Sequence, residues 1–149
     1  MTCSTRATAR KRLAMTEASE LVVPIRADVD VLTARQHARS LVSGLRFSSS
    51  ELTLIATAIS EVARNIVIYA GRGEIVLRLV QQGQRRGLAV IARDQGPGIA
   101  NIERAMQDGY STSRGLGLGL PGSKRLMDEF EVVSEVGKGT QVTMTKWER

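Results

Sequence analysis

The sequence has few aromatic residues and only one cysteine. Cys3 is the sole cysteine among 149 residues, so no internal disulfide can form. Trp, Tyr and Phe together make up 3% of the chain. The core must therefore be built from Leu, Ile, Val and Ala, and few rings are available for stacking on nucleic-acid bases. No apolar run has the length of a membrane span. We expect neither a membrane segment nor direct nucleic-acid binding.

Acidic residues are missing from residues 1–16, which contain four basic ones: Arg6, Arg10, Lys11 and Arg12. This segment accounts for +4 of the net charge of +6. We therefore expect residues 1–19 to be a basic, disordered tail, to which we assign no function, and residues 20–149 to form one domain. A basic nucleic-acid-binding protein is the weakest of the interpretations considered, because most of the excess charge lies in this tail.

Apolar periodicity and turn residues predict nine elements. The predicted strands cover residues 20–26, 74–80, 87–93, 130–136 and 141–147, and the predicted helices cover residues 28–45, 51–70, 102–108 and 120–129. Asp28 is the expected N-cap of the first helix, and a serine triplet ending at Ser50 precedes the second. Hairpin-like spacings favour an α+β two-layer sandwich, with a mixed, mostly antiparallel sheet and helices on one face.

The second predicted helix contains a polar pair inside an apolar stripe. Glu61 and Asn65 are four residues apart and project together. They point away from the main apolar face, and their neighbours on their own side are Leu54, Ala58 and Ile68. A buried carboxylate needs a partner or a catalytic role, and a carboxylate beside an amide oxygen suits Mg²⁺, which takes few protein ligands. A solvent-exposed polar pair is the alternative interpretation.

Glycine-rich segments follow in a fixed order. Residues 94–98 (DQGPG) come directly after a strand, where glycines allow close approach of a flat ligand. Residues 115–119 (GLGLG) precede a helix, where backbone N–H groups suit phosphate oxygens. Residues 137–140 (GKGT) join the last two strands. Each segment alone is compatible with an ordinary turn or loop, whereas the ordered set is specific.

This ordered set resembles the GHKL ATPase superfamily, whose ATP-binding domain has the Bergerat fold. The resemblance runs from about Leu21 to the C-terminus. The absence of an added domain is similar to the anti-sigma-factor and switch-protein kinases, and most of all to the RsbT-type serine/threonine switch kinases. The stretches EVARNIVIYAGRGEI, RDQGPGI and MQDGYSTSRGLGLGLPGSKRLMDEFEV carry that likeness.

The resemblance implies a role for each matching residue. Glu61 would be the general base, Asn65 would ligate Mg²⁺, and Asp94 would bind the adenine amino group with support from Thr140. The remaining residues expected to contact ATP, either beside the base or in a lid over the phosphates, are Gly96, Gly98, Ser113, Arg114, Gly115, Gly117, Gly119 and Lys138. The implied cofactors are ATP and Mg²⁺.

The implied function is a cytoplasmic serine/threonine-protein kinase that phosphorylates a STAS-domain regulator in bacterial partner switching, with a PP2C-type phosphatase as a possible second partner. One alternative is an anti-sigma-factor kinase that binds a sigma factor. Another is a nucleotide-gated binding module with little transfer activity.

One departure from the family concerns a basic residue. Many members have a basic residue three or four positions after the metal-binding Asn, where this chain has Ile68 and Tyr69. The phosphates would then need Arg72, Arg114 or Lys138, and the sequence does not choose between them. The single histidine, His37, does not lie in a phospho-acceptor motif, so a self-phosphorylating histidine kinase is disfavoured.

Overall fold

The computed structural model describes residues 20–107 and 119–149. Its strands are β1 (Glu20–Ile25), β2 (Gly73–Gln82), β3 (Arg85–Asp94), β4 (Glu129–Glu135) and β5 (Gly139–Trp147), and its α-helices are α1 (Asp28–Leu41), α2 (Ser49–Asn65), α3 (Ile102–Ala105) and α4 (Gly119–Leu126). A π-helical turn, Ile66–Ala70, continues α2. The element order is the predicted one. The predicted tail, residues 1–19, and residues 108–118 lie outside the described residues.

The two long helices are capped at their N-termini in different ways. At α1 the N-cap is Ala27 rather than the predicted Asp28, and the Asp30 carboxylate accepts the backbone N–H groups of Arg26 (2.8 Å) and Ala27 (3.1 Å). At α2, Ser48 accepts from the Glu51 N–H while Glu51 accepts from the Ser48 N–H, which is a complete capping box. This box confirms the predicted start of the second helix.

Helices α1, α3 and α4 are shorter than predicted, and α3 ends at Ala105 rather than at residue 108. Helix α1 ends at Leu41, before residue 45, because the chain leaves the helix in a turn in which the Leu45 N–H donates to the Val42 carbonyl at 2.9 Å. Helix α4 ends at Leu126, before residue 129, because Glu129 already pairs with Thr145 in the sheet. Packing thus truncates helices whose sequence pattern continues.

The strands form one sheet in the order β1-β2-β3-β5-β4. All four pairings in the described part of the chain are antiparallel, so the mixed sheet allowed by the sequence is uniform there. Alternate residues face the helices, including Val23, Ile75, Ala92 and Val142, which lie in one row across the sheet and belong to the core cluster. The architecture is the predicted α+β two-layer sandwich.

Helix α2 and the π-helical turn supply much of the core. Together they form a 22-residue segment, Ser49–Ala70, whose length and composition would also suit a membrane span. In the fold its apolar side is packed inward, and Ile55, Ile59, Val62 and Ile66 are at most 2% exposed. Core burial accounts for the apolar composition of this segment.

Glu148, next to the C-terminal residue, links the sheet to the segment that connects α1 and α2. Glu148 accepts the backbone N–H of Arg46 at 2.7 Å and the Nε–H of Arg86 at 2.9 Å. The hydrogen bond from Arg86 holds the pKa of the Glu148 carboxyl below its usual value, and the Arg46 N–H acts in the same direction. The contact joins segments far apart in the chain.

Candidate functional site

A cavity of about 550 Å³ opens between α2, the start of α4 and one end of the sheet; it is called the nucleotide cavity below. Four predicted site residues lie on its wall: Asn65 from α2, Asp94 from the end of β3, Gly98 from the segment that follows, and Thr140 from the start of β5. The first turn of α4, at Leu120, also lines it. The tertiary structure therefore brings the first and last motifs of the ordered set into one concavity.

Glu61 lies behind this wall and is 6% exposed. Its Oε2 accepts the N–H of Gly119, the first residue of α4, over 3.3 Å, and its Oε1 is 3.5 Å from the Arg64 guanidinium. A helix N-terminus and a cation both stabilise a carboxylate, which explains how this charge is tolerated. Because 3.3 Å is long for a hydrogen bond, Glu61 can exchange this contact for another donor.

The π-helical turn follows Asn65 directly. Turns of this type insert an extra residue into a helix and are frequent at functional sites. Tyr69 lines the nucleotide cavity, whereas Ile68 is 48% exposed. Ile68, which the sequence placed on the same side of the helix as Glu61, lies in the π-helical turn, and the apolar stripe is exposed to solvent at that residue. Ala58, predicted in the same stripe, is fully buried.

Asp94 lies on the cavity wall at the end of β3 and caps its own turn. Its Oδ1 accepts the N–H of Gly96 at 2.8 Å, so Oδ2 remains available to a ligand. Thr140 pairs with Asp94 across β3 and β5. The Thr140 hydroxyl is 2.8 Å from the hydroxyl of Ser134, which also accepts the N–H of Ile99 at 2.7 Å.

Sequence reasoning missed Ser134. This residue ties residues 94–99 to the β4–β5 hairpin, and the Gly137 N–H strengthens the link by donating to the Pro97 carbonyl at 2.8 Å. A signal was available, because Phe130 and Val132 point inward at alternate positions of β4 and Ser134 continues that series with a polar side chain.

Gly96 and Gly98 are required mainly by the protein itself. A Cβ on Gly96 would lie 2.6 Å from the Ala70 Cβ, and one on Gly98 would lie 2.3 Å from the Glu135 carbonyl oxygen. Gly98 also has a φ of +77°, which disfavours other residues. The β4–β5 hairpin and the π-helical turn occupy the space where side chains at these two positions would be, so close protein contacts already account for both glycines. That they also make room for a nucleobase stays a prediction.

The other predicted site residues lie in different parts of the chain and do not all line the nucleotide cavity. Gly119 is buried and donates to Glu61, as described above. Lys138 lines a second cavity on the helix-free face of the sheet, together with Arg72, and is 3.4 Å from Glu135. Neither Arg72 nor Lys138 lines the nucleotide cavity. Ser113, Arg114, Gly115 and Gly117 lie outside the described residues.

Arg104 is a second residue that sequence reasoning missed. It belongs to α3 and is the one Lys or Arg side chain among the described residues that line the nucleotide cavity. The Asn101 side chain accepts the Arg104 backbone N–H at 3.0 Å and so fixes the start of α3 at the cavity rim. Its position offers positive charge on the same wall as Asn65.

The described residues contain no group of three or more His, Cys, Asp and Glu side chains placed to hold a metal ion. A protein cage of the calcium or zinc type is therefore missing from this part of the chain. Mg²⁺ differs, because it uses one or two protein oxygens and fills its shell with phosphates and waters. The Asn65 amide oxygen, at the wall of an open cavity, fits that second mode.

A family model described as "Histidine kinase-like ATPase domain" matches residues 23–146. The chain belongs to this ATPase family. The match covers every described element except the first residues of β1 and the end of β5. Membership confirms the predicted GHKL resemblance and the use of ATP.

Two curated relatives indicate the functional class of this chain within the ATPase family. It is 50% identical to "Serine/threonine-protein kinase RsbT" from Bacillus subtilis over 127 residues, covering 85% of this chain and 96% of the relative. It is 35% identical to "Anti-sigma F factor" from Clostridium kluyveri over 117 residues, covering 76% of this chain and 82% of the relative. These likenesses confirm the prediction of an ATP-dependent serine/threonine-protein kinase of the partner-switching type.

A solved structure agrees on the fold. The crystal structure of the RsbU and RsbW domains of a Mycobacterium tuberculosis protein matches with a TM-score of 0.58 at 22% identity. The match covers 87% of this chain and 33% of that longer chain. At this identity the likeness supports the two-layer ATPase fold and nothing finer.

Proposed function

We propose that this chain uses Mg-ATP to phosphorylate a serine or threonine of a STAS-domain regulator. The observation that carries the proposal is the placement of buried Glu61 one helical turn from cavity-lining Asn65, with Asp94 and Thr140 on the wall of the same cavity. This arrangement places a metal ligand and a nucleobase acceptor on one cavity wall, with a base directly behind it. Phosphoryl transfer requires mainly such positioning and charge neutralisation.

Each residue has a proposed task. Asp94 accepts a hydrogen bond from the exocyclic amine of adenine, and the Thr140–Ser134 pair holds that part of the cavity wall in place. Asn65 supplies one oxygen to Mg²⁺, and Arg104 offsets phosphate charge in place of the basic residue that this chain lacks after Asn65. When bound, Mg-ATP supplies a γ-phosphoryl group ready for transfer to a hydroxyl.

Glu61 moves the proton in this scheme. The acceptor hydroxyl of the partner gives its proton to the Glu61 carboxylate, its oxygen forms the new bond to phosphorus, and the bond to the β-phosphate oxygen breaks. ADP and the phosphoprotein are the products. A positioned carboxylate base contributes about 10²–10⁴ in rate. The weak contact between Glu61 and Gly119 leaves the carboxylate able to accept this hydrogen bond.

The test mixes the purified full chain, Mg-ATP and each STAS-domain protein of the source organism, and maps phosphate by mass spectrometry. We expect one STAS protein to gain phosphoserine or phosphothreonine, with the product lost when EDTA removes the metal. If no STAS protein is modified although the chain binds ATP, this proposal is wrong, and a nucleotide-gated binding module becomes the better account.

A second candidate function is favoured by the likeness to the anti-sigma F factor of Clostridium kluyveri, at 35% identity. In that case the chain would bind a sigma factor and phosphorylate an anti-anti-sigma protein. A pull-down of tagged chain against the sigma factors and the PP2C-type phosphatases of the source organism separates the two. We expect capture of a phosphatase, and a cytoplasmic location shared with it.

A further inference from the structure

A second concavity lies at the same end of the sheet as the nucleotide cavity but on the face that the helices leave uncovered. We call it the open-face groove. Its volume is about 740 Å³, and its wall includes Val22, Pro24, Arg26, Arg72, Lys138 and Val133. Val22 and Pro24 alternate with the buried core residues Val23 and Ile25, so they point away from the helices. Of the residues given roles above, Asp94, Ser134 and Thr140 also line this groove, whereas Val22, Arg26, Arg72 and Val133 have no role there.

Two arginines concentrate positive charge at one end of the groove. Ile25 pairs with Gly73, so Arg26 and Arg72, the next residue outward on each strand, are neighbours. Both are exposed, and neither guanidinium has an acidic partner among residues 20–107 and 119–149. By contrast, Arg93 in the same groove is paired with Glu74 at 2.7 Å. The adjacent unpaired cations favour an anionic occupant.

The groove also exposes apolar side chains at its two ends. Val22 on β1 is 54% exposed and Val133 on β4 is 57% exposed. These strands are the opposite edges of the sheet, so the groove runs across all five strands. Four inter-strand spacings of about 4.8 Å amount to about 19 Å, which an extended chain covers with about six residues. An extended peptide segment therefore fits the groove.

The wall composition favours a protein over a nucleic acid. Among the described residues, no aromatic side chain lines the groove, although stacking is a main source of affinity for single strands. Glu74, Asp94 and Glu135 are interspersed along the wall and would repel a continuous row of phosphates. A peptide in which acidic and apolar side chains alternate can instead pair its acidic side chains with Arg26 and Arg72 and keep them away from the carboxylates of the wall.

From these observations we propose that the open-face groove docks an extended acidic and apolar segment of the protein partner, held by Arg26 and Arg72 and by contact with Val22 and Val133. The assignment of that partner as the phosphorylated STAS protein rests on the proposed function. Docking here would place the partner beside the nucleotide cavity, because Asp94 and Thr140 line both concavities.

The first test uses a probe that does not depend on the partner's identity. A fluorescein-labelled octapeptide of alternating Glu and Leu is titrated with the full chain at low ionic strength and followed by anisotropy. We expect the Arg26→Glu/Arg72→Glu double variant to bind it about tenfold more weakly, since two charge attractions become repulsions. The matched control is Arg35→Glu/Arg39→Glu on α1, an equal change of charge on the other side of the sheet.

The second test measures phosphorylation kinetics with the STAS protein that the unmodified chain phosphorylates. We expect KM for that protein to rise about tenfold in the double variant, with kcat and ATP affinity retained. Equal effects in both double variants, or unchanged peptide binding and KM, would overturn the docking site. A single-stranded DNA probe bound more tightly than the peptide and released by the same variant would do so too. If the unmodified chain phosphorylates no STAS protein, only the proposed function is wrong, because the peptide titration tests the docking site independently of that function.

Discussion

The candidate site has two parts, which we call the Glu61 end and the Asp94 end. Glu61 and Asn65 extend from a single helix, whereas Asp94 and Thr140 come from two strands joined only in the folded sheet. The first end is made by side chains at a four-residue spacing. The second is made by backbone segments pressed against each other, with Ser134 and the Gly137–Pro97 hydrogen bond as links. We infer that substitutions at the Glu61 end change the rate of transfer first, whereas those at the Asp94 end change stability and nucleotide selectivity.

The largest expected effect is at Glu61. Glu61→Gln keeps the shape of the side chain but removes the base, so kcat should fall by at least about 100-fold, while ATP affinity changes little. Single-turnover phosphorylation and calorimetric titration with ATP measure the two quantities. Glu74→Gln is the control at a carboxylate outside the cavity. A Glu61→Gln chain that transfers phosphate at the native rate would remove Glu61 from the mechanism.

The next effect tests whether the Asp94 end is stabilised by close backbone approach. Gly139 has a φ of +112°, and a Cβ there would lie 2.0 Å from the Asp94 carbonyl oxygen. Gly139→Ala should cost on the order of 3 kcal/mol and lower the Tm by about 10 °C. Gly137→Ala is the matched control, because Gly137 also has positive φ (+83°) but meets nothing within 4 Å. Equal losses in thermal melts of the two variants would refute the close-approach argument.

Arg104 sharpens the comparison, because it lies on the cavity wall but belongs to neither end. If it neutralises phosphate charge, Arg104→Gln should weaken ATP binding by about 2 kcal/mol, since hydrogen bonds to charged groups contribute about 1.5–3 kcal/mol, and adenosine binding should be unaffected. Arg104→Lys should restore part of the loss. Arg72→Gln, in the open-face groove, is the control. An Arg104→Gln chain that loses adenosine and ATP affinity equally would contradict a phosphate role.

The smallest expected effect is on nucleotide selectivity. Asp94→Asn preserves an oxygen to accept the Gly96 N–H, so the turn should survive. It removes the charge that favours the adenine amine, and ATP affinity should fall about tenfold while weak GTP affinity stays the same. Competition titrations with both nucleotides measure the ratio. Parallel weakening of ATP and GTP would show that Asp94 acts on the turn rather than on the base.

Local sequence signals predicted much of this molecule. The capping box at Ser48 and Glu51 located the start of α2, and a carboxylate among apolar neighbours correctly predicted the burial of Glu61. These features follow from spacing along a single helix. The element order and the antiparallel character of the sheet followed from apolar periodicity and short turns.

Other features depend on contacts between distant segments. The roles of Ser134 and Arg104, the π-helical turn after Asn65 and the placement of Lys138 on the other face of the sheet were missed. A local sequence pattern does not show which strand a loop packs against, or on which face of the sheet the side chain of a turn residue lies. Gly96 and Gly98 are a further example. A glycine in this position indicates that another group approaches the backbone closely, but the sequence does not show which group it is.

The sequence by itself determined the elements, the polar pair on α2 and the family, because helical and strand periodicities and short motifs are properties of neighbouring residues. The tertiary structure alone decided which cations face the nucleotide cavity and which face the open-face groove. The reason is that strand register sets the face on which each side chain lies, and register is fixed by packing of the whole sheet against its helices.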